Sequence, residues 1–339
     1  MNIGYEIIYK KKDHKRFWKL FSILNSNHPN IGSIYHPAIL DYYFIRAVDF
    51  GYQIEDFSCI FAYDNVPFSA FLGAKFSKES QSELNLFEVP CLAIDSINIS
   101  LSKKKQIKSF LEFLLKLNLN KIQVKGPDFD SKIPILCEFL LSKTNSRLKP
   151  STNRIIDLNQ SEVDIKRAIR KSYHSLINWG LKSMEIEIHD KSNINWNIIE
   201  RFRDLHIKEA KRETRSIETW KKQFEAISSG LSFCITAKLN KELVSMAYFV
   251  CPEQICLYGT SASRRDLFDK PLSHAIIWKA ILESKKKGFK QFNIGSTFEY
   301  KFNNLATDKE KNIAYFKEGF GGNLVLNYIV KYNNQIKKF

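Results

Sequence analysis

The chain has 339 residues and carries 52 Lys and Arg against 36 Asp and Glu, a formal net charge of +16. Its 44% hydrophobic and 13% aromatic content excludes intrinsic disorder, which lacks the apolar residues to form a core. With 13 Gly and 9 Pro it is not collagen-like, and its length fits two domains of about 100–200 residues each.

The charge is uneven. Residues 1–150 hold 20 basic and 15 acidic residues, residues 151–200 seven of each, and residues 201–339 hold 25 and 14. A basic excess of this kind fits an anionic partner: nucleic acid, a phosphate-bearing donor or carrier, or the inner membrane surface. An AT-rich genome that favours Lys codons is the plain alternative.

The six cysteines (Cys59, Cys91, Cys137, Cys234, Cys251 and Cys256) form no CxxC pair and mostly lie in apolar runs. They read as reduced core residues of a cytosolic protein, and no Cys/His set has zinc-ligand spacing, so no metal is expected. No apolar run approaches the roughly 20 residues of a membrane-spanning helix. Met1–Lys12 lacks a signal-peptide core. The expectation is a cytoplasmic protein, able at most to associate peripherally with the inner face of the membrane.

Along the chain, Phe57–Phe76 reads as a β-hairpin turning at Asp64-Asn65. A third apolar stretch covers Leu84–Ile94. A helix is predicted near Lys103–Leu117, where Ile107, Phe110, Leu111, Leu114 and Leu115 follow the 3.6-residue period. Lys121–Lys125 is a short strand closed by Gly126-Pro127, Ile133–Leu141 a helix, and Arg154–Leu158 a strand. One helix is expected from about Glu162 to Leu181, then a strand at Glu185–Ile188 and a helix from Trp196 to Lys211. A second hairpin, Phe233–Val250, turns at Asn240-Lys241. It is followed by a strand at Ile255–Thr260 and a helix over Pro271–Lys287 that stops at Gly288. Gln291–Ile294 is a strand, Asn312–Glu318 a short helix and Val325–Tyr332 a closing strand. Both halves thus read as hairpin, strand, helix, strand, helix, strand: an α/β (mixed α+β) chain with two mixed sheets flanked by helices. The junction is expected at Lys149–Asn159.

Four stretches carry chemistry. On the helix of residues 164–179, Lys166, Arg170 and His174 recur every four residues beside Arg167 and Lys171, a basic stripe suited to phosphate or to a solvated surface. Thr214-Arg215-Ser216 interrupts a charge-dense helix end and reads as a substrate loop or a plain surface loop. In residues 258–274 a strand ends in small residues, including Ser261, and runs through Arg264 and Arg265 to a helix carrying His274. Open α/β sheets bind ligands beyond such strand ends, although packing is the commoner role of a lone His. In residues 312–322, Tyr315, Phe316 and Lys317 precede Gly319 and Gly321-Gly322, glycines that permit a tight turn. P-loop, GxSxG, HExxH, kinase and dinucleotide signatures do not occur.

The run Arg154–Leu158, the segment Arg167–Ile188, Tyr258–Ser263, Lys285–Ser296 and finally Tyr315–Gly322 come in an order that resembles the FemABX group of acyl- and aminoacyl-transferases. The resemblance is close over about residues 150–330 and weaker over 50–150. It implies two GNAT-like domains, 1–150 with an acceptor-binding role and 151–339 with the transferase centre. The implied reaction moves an activated acyl or aminoacyl group, from acyl-CoA or aminoacyl-tRNA, to an amine of an anionic cell-envelope precursor. The acceptor it points to is a nucleotide sugar, a lipid-linked glycan or a polysaccharide unit; the alternatives are peptidoglycan-bridge synthesis on aminoacyl-tRNA and a non-catalytic RNA- or membrane-surface-binding role.

By resemblance, Lys317 and Phe316 match the family's Phe-Lys pair, with Lys317 stabilising negative charge at the donor. Tyr315 matches a tyrosine that protonates the leaving group, and Arg170 and Lys171 a basic helix near the acceptor. Glu299 is a candidate base for the acceptor amine. The chain departs from the acyl-CoA pattern at Arg264–His274, which contains no glycine.

Overall fold

In the computed structural model of the chain, residues 5–26, 35–87, 89–96, 99–117, 119–126, 133–251, 254–297 and 307–333 are described. They divide into two compact units, one of residues 1–35, 43–151 and 326–339, the other of residues 36–42 and 152–325. The division at residue 151 is thus accompanied by two segments that join the unit other than that of their sequence neighbours.

Unit 1 opens with β1 (Tyr5–Tyr9), α1 (His14–Asn25) and the second half of α2 (Pro37–Asp49). β2 (Gln53–Asp56), β3 (Cys59–Tyr63), β4 (Val66–Leu72), β5 (Ala74–Lys78), β6 (Gln81–Asn85) and β7 (Cys91–Asp95) come after it. Next are α3 (Leu101–Leu115), β8 (Lys121–Lys125), α4 (Ile135–Lys143) and the start of β9 (Arg147–Asp157). The β3–β4 hairpin turns at Asp64-Asn65, both at positive φ, as a two-residue turn matched to strand twist requires. The Leu84–Ile94 stretch is two strands, β6 and β7, broken around Phe87. β8 pairs in parallel with β6 at its start and with β7 at its end. The periodic residues Ile107, Phe110, Leu111 and Leu114 of α3 pack on Phe57, Phe61 and Phe71 in one core. α1 is not among the elements expected from the sequence, yet Phe17, Leu20, Phe21 and Leu24 are buried at helical spacing.

Unit 2 contains α5 (Glu162–Ala168), α6 (Lys171–Ser183), β10 (Glu185–His189), α7 (Trp196–Ala210), α8 (Ile217–Ser228), β11 (Ser232–Leu239) and β12 (Glu242–Val250). β13 (Ile255–Ser263), α9 (Leu272–Lys286), β14 (Gln291–Gly295), α10 (Asp308–Glu318) and the start of β15 (Asn323–Asn333) complete it. Its strand order is β9-β14-β13-β12-β11-β10. α6 and α9 share one core, with Ile177, Ala275, Ile276 and Ile281 buried. Phe202 of α7 and Trp220 of α8 belong to another, with Met246 and Ala262.

The single helix expected over residues 162–181 is instead two. Ile169 and Arg170 are extended, with ψ of 141° and 131°. No Pro or Gly marks the break. It is stabilised by a tertiary bond, the Arg170 N–H donating to the Gly319 carbonyl at 2.8 Å. The expected stripe of Lys166, Arg170 and His174 therefore does not exist as one helix face; the His174 ring instead contacts the Lys166 carbonyl at 3.0 Å.

After α4 the chain continues as β9, whose Arg154–Asp157 pair with β14 in unit 2. After α10 it continues as β15, whose Ile329–Asn333 pair with β8 in unit 1. The last strand of unit 1 is thus contributed by the C-terminal end of the chain, while unit 2 begins its sheet with the second part of β9. All six cysteines are free and buried. Among the described residues no helix is long and apolar enough to cross a membrane, and no group of three His, Cys, Asp or Glu residues could hold a metal ion.

Candidate active site in unit 2

The site begins with the sheet. β13 and β14 pair in parallel only from Ile255–Leu257 to Gln291–Asn293. Beyond Leu257, β13 keeps its pairing with β12, through an irregularity opposite Tyr248 where Gly259 and Thr260 stand against one residue. An extra residue in one strand takes backbone groups out of the ladder and re-aims the neighbouring side chains. β14 ends at Gly295, whose N–H donates to Asn293 Oδ1 at 2.8 Å. The carboxyl ends of β13 and β14 therefore separate, which is where open α/β sheets bind ligands.

Lys317 reaches this opening from α10. Gly295 has φ +95°, and a Cβ there would lie 2.8 Å from Lys317 Nζ, so glycine both permits the backbone and leaves room for the ammonium. The helix that presents Lys317 is fixed at both ends. Thr307 and Glu310 form a reciprocal capping box at its start. At its end, Arg154 donates to the Gly322 carbonyl at 2.9 Å and lies 3.7 Å from the Glu318 carboxylate. Gly319 passes so close to Tyr173 that a Cβ would sit 2.1 Å from its ring. Gly321 and Gly322 adopt positive φ in the turn to β15.

Arg170, Tyr173 and Tyr315 brace the same helix end. The Arg170 guanidinium lies 3.9 Å over the Tyr315 ring and 5.0 Å over that of Tyr173, and its Nη2 donates to the Tyr315 carbonyl at 3.3 Å. Tyr173 donates its hydroxyl to the Phe316 carbonyl at 3.2 Å. Burial raises the Tyr173 pKa, with Arg170 acting in the opposite direction. Phe316 and Phe320 pack with Tyr173 around His274, whose ring meets Tyr173 edge-on at 4.5 Å. Burial there lowers the His274 pKa. Tyr315 is 62% exposed. It lies two residues from Lys317, about 200° around a helix with 3.6 residues per turn, so the two side chains leave α10 on opposite sides.

On the other side of β13, Arg215 Nη1 donates to Tyr42 Oη at 2.8 Å and to Thr260 Oγ1 at 3.1 Å. Its guanidinium lies 5.1 Å over Trp220. Gln223, 3% exposed, approaches Thr260 with its Nε2 at 3.5 Å and leaves its Oε1 without a hydrogen bond. His206 contacts the Trp220 ring edge-on and Thr214 Oγ1 at 3.3 Å. Thr260 belongs to the irregular segment of β13, so this cluster of a guanidinium and aromatic rings adjoins the strand opening. Tyr42, Thr260, Trp220 and Gln223 are not among the residues expected from sequence. Trp220 and Gln223, with Ala226 and Ile227, form the buried face of α8, a helix that is also absent from the expected elements.

The remaining expected residues lie apart from these. Arg167 pairs with Asp164 at 2.7 Å on the surface, and Lys171 is the exposed first residue of α6. Arg264 is held by Glu242 at 2.6 Å and by Asp266. Arg265 is exposed, with its backbone N–H on Glu209. Ser261 is exposed and accepts from the Tyr258 hydroxyl at 2.7 Å. Glu299 lies outside the described residues.

No protein-family model and no curated protein matches the sequence. Solved structures do match its fold. A structure of FemX superimposes with a TM-score of 0.62 at 12% identity, covering 92% of this chain and 95% of that one. L-PGS from Bacillus licheniformis gives 0.58 at 13% identity, covering 94% and 93%. A tandem GNAT protein from the clavulanic acid biosynthesis pathway gives 0.52 at 9% identity, covering 97% and 98%. The chain has a FemABX/GNAT-like fold, as expected from the order of its sequence motifs.

Proposed function

We propose that the protein is an N-acyl- or aminoacyl-transferase. It moves an acyl or aminoacyl group from an activated ester, acyl-CoA or aminoacyl-tRNA, to an amine on an anionic precursor of the cell envelope, such as a nucleotide sugar or lipid-linked glycan. The observation that carries this reading is Lys317 beside Gly295 at the opened end of the β13–β14 pair.

In such a reaction the acceptor nitrogen attacks the ester or thioester carbonyl, a C–N bond forms, and the C–O or C–S bond to the leaving group breaks. Negative charge develops first on the carbonyl oxygen and then on the leaving atom. A fixed ammonium is suited to both, and stabilisation of this type is commonly the largest catalytic contribution an enzyme makes. The amine proton is released to solvent or to the substrate itself, and the leaving atom is protonated in turn. The Arg215 cluster supports the acceptor side of the reading: a guanidinium held between Tyr42 and Thr260 suits a carboxylate or phosphate.

The donor is read from a competition. Arg264 is already engaged by Glu242 and Asp266, and the β13–α9 connection has no glycine to bring backbone N–H groups around a pyrophosphate. These features favour an aminoacyl ester over a CoA thioester.

The test is transfer from charged tRNA and from acyl-CoA to pooled nucleotide-sugar and lipid-linked acceptors. Lys317→Ala is expected to lower kcat by about 10²–10³ with the productive pair, the range for losing a preorganised oxyanion donor. A full rate from Lys317→Ala would remove Lys317 from the mechanism, and turnover of acyl-CoA alone would reverse the donor preference.

A further inference from the structure

At one end of the unit 1 sheet, exposed apolar side chains meet unpaired lysines. Strand pairing sets Tyr5 of β1 opposite Tyr63 of β3, and Tyr63 opposite Val66 of β4. Residues paired across neighbouring strands project from one face, so the three form a row. They are 44%, 39% and 66% exposed. The start of α3 adjoins this row: Lys103 Nζ lies 5.8 Å over the Tyr63 ring and 4.9 Å over that of Phe68. Leu101, which opens the helix, is 79% exposed. Single exposed apolar residues are ordinary, but four gathered by strand register and helix packing mark an interaction surface.

The charge beside the row is positive and unbalanced. Lys103, Lys104, Lys105 and Lys108 occupy the first two turns of α3, whose first turn has no acidic residue. A helix N-terminus carries partial positive charge, so the helix's own field opposes this arrangement. Among the described residues none of the four lysines has an ion-pair partner, and Lys105 and Lys108 are exposed. The hairpin turn brings one carboxylate, Asp64, while Arg16, which reaches the turn at Asn65, is held by Glu6. By contrast, Lys221, Lys222 and Lys238 of unit 2 pair with Glu218, Glu225 and Glu187.

We infer that this end of unit 1 docks on an anionic lipid bilayer. Leu101 and Val66 enter its surface, Tyr5 and Tyr63 lie at headgroup level, and the α3 lysines meet the lipid phosphates. Tyrosine, with an apolar ring and a wet hydroxyl, suits that depth. The long lysine stems cover apolar surface while their ammonium groups stay among the headgroups. An RNA would use the lysines and the tyrosine rings but offers Leu101 and Val66 no apolar depth to enter, so the bilayer is the favoured occupant. The surface shares no residue with the transfer centre of unit 2 and stands independently of the transferase reading.

Co-sedimentation of the full chain with vesicles tests it, in about 0.1 M salt, where exposed charges act over about 10 Å. One vesicle is phosphatidylcholine alone and the other an equal mixture with phosphatidylglycerol; poly-U RNA is measured beside them. Binding is expected to the mixed vesicles only. Lys104→Gln, Lys105→Gln and Lys108→Gln combined are expected to weaken it about 10²-fold, at roughly fivefold per charge near an anionic surface. Leu101→Gln and Val66→Gln, at exposed positions compatible with folding, are each expected to weaken it about threefold or more, the effect of losing part of a buried aliphatic side chain. Lys221→Gln, Lys222→Gln and Lys238→Gln combined remove the same charge from unit 2 and should change it by less than about twofold. Equal binding to both vesicles would overturn the inference, as would no binding to the mixed vesicles, full binding by the α3 variant, or an equal loss in the unit 2 variant. Poly-U binding that the α3 variant loses, with full vesicle affinity in Leu101→Gln and Val66→Gln, would make the surface an RNA site instead.

Discussion

The two units use one plan and finish it differently. In unit 1, β7 and β8 pair in parallel through Leu92 and Lys125, and the chain beyond each strand is closed off. Asp95, at the end of β7, accepts from Ser69 Oγ at 2.6 Å and from the Ile135 N–H at the start of α4 at 2.7 Å. Gly126, just after β8, lies under Tyr328, where a Cβ would fall 2.1 Å from the phenol oxygen. In unit 2 the corresponding strands β13 and β14 part after Leu257 and Asn293, and Gly295 lies under the Lys317 ammonium instead. A carboxylate that anchors a helix and a buried tyrosine close one junction. A cation on a braced helix occupies the other. The strand opening is therefore not a property of the topology alone; the side chains that fill it decide whether it is core or site.

Short of removing Lys317 itself, the largest expected effect comes from filling the space above β14. Gly295→Ala puts a Cβ against Lys317 and an L-residue at φ +95°. It should lower transfer by more than tenfold and cost about 1–3 kcal/mol of stability, the range for a strained backbone position. Steady-state kinetics and chemical denaturation read the two effects separately.

A smaller effect concerns pH. His274 is buried among Tyr173, Phe316 and Phe320, and its pKa is lowered. The unfolded state then binds the proton more readily than the native state, so stability is complete above the ordinary His value of about 6.5 and falls as pH drops through the lowered native value. Melting temperatures from pH 7.5 to 5 should decline, and His274→Phe should flatten that slope. An unchanged slope would assign it to other groups.

The smallest effect is at Arg264, whose partners Glu242 and Asp266 are exposed. Arg264→Ala should leave the melting temperature within error and the transfer rate within about twofold, because exposed ion pairs contribute little. A large loss of transfer would restore Arg264 as a donor contact.

Much of this architecture is legible in the residues. The Asp64-Asn65 and Asn240-Lys241 turns, the α3 stripe and the Gly288 stop are local signals, and the structure uses each of them. Gly288, for example, lies after α9 with φ +84°. α1 and α8, absent from the expected elements, carry stripes of the same kind: Phe17, Leu20, Phe21 and Leu24 in one, Trp220, Gln223 and Ile227 in the other. The break between α5 and α6 has no local signal. It depends on Arg170 and Tyr173 bonding to Gly319 and Phe316, more than 140 residues away. The same holds for the site. Lys317 can be singled out from its motif, but its meeting with Gly295, and that of Arg215 with Tyr42 and Thr260, are tertiary facts. The basic stripe of residues 166–174 is the converse: a regular spacing that the fold dismantles.

The most direct measurement is a matched pair of variants at the two strand ends, Lys317→Met in unit 2 and Asp95→Ala in unit 1, each assayed for single-turnover transfer and for thermal unfolding. With Lys317 as the catalytic cation and Asp95 as a structural anchor, Lys317→Met is expected to lose about 10²-fold or more in rate with its melting temperature preserved, as for removal of an oxyanion-stabilising group. Asp95→Ala should lose about 1–3 kcal/mol of stability, the cost of leaving a buried donor unsatisfied, while the folded protein keeps its rate. A Lys317→Met protein that transfers at the full rate, or an Asp95→Ala protein that is stable but inactive, would contradict these assignments.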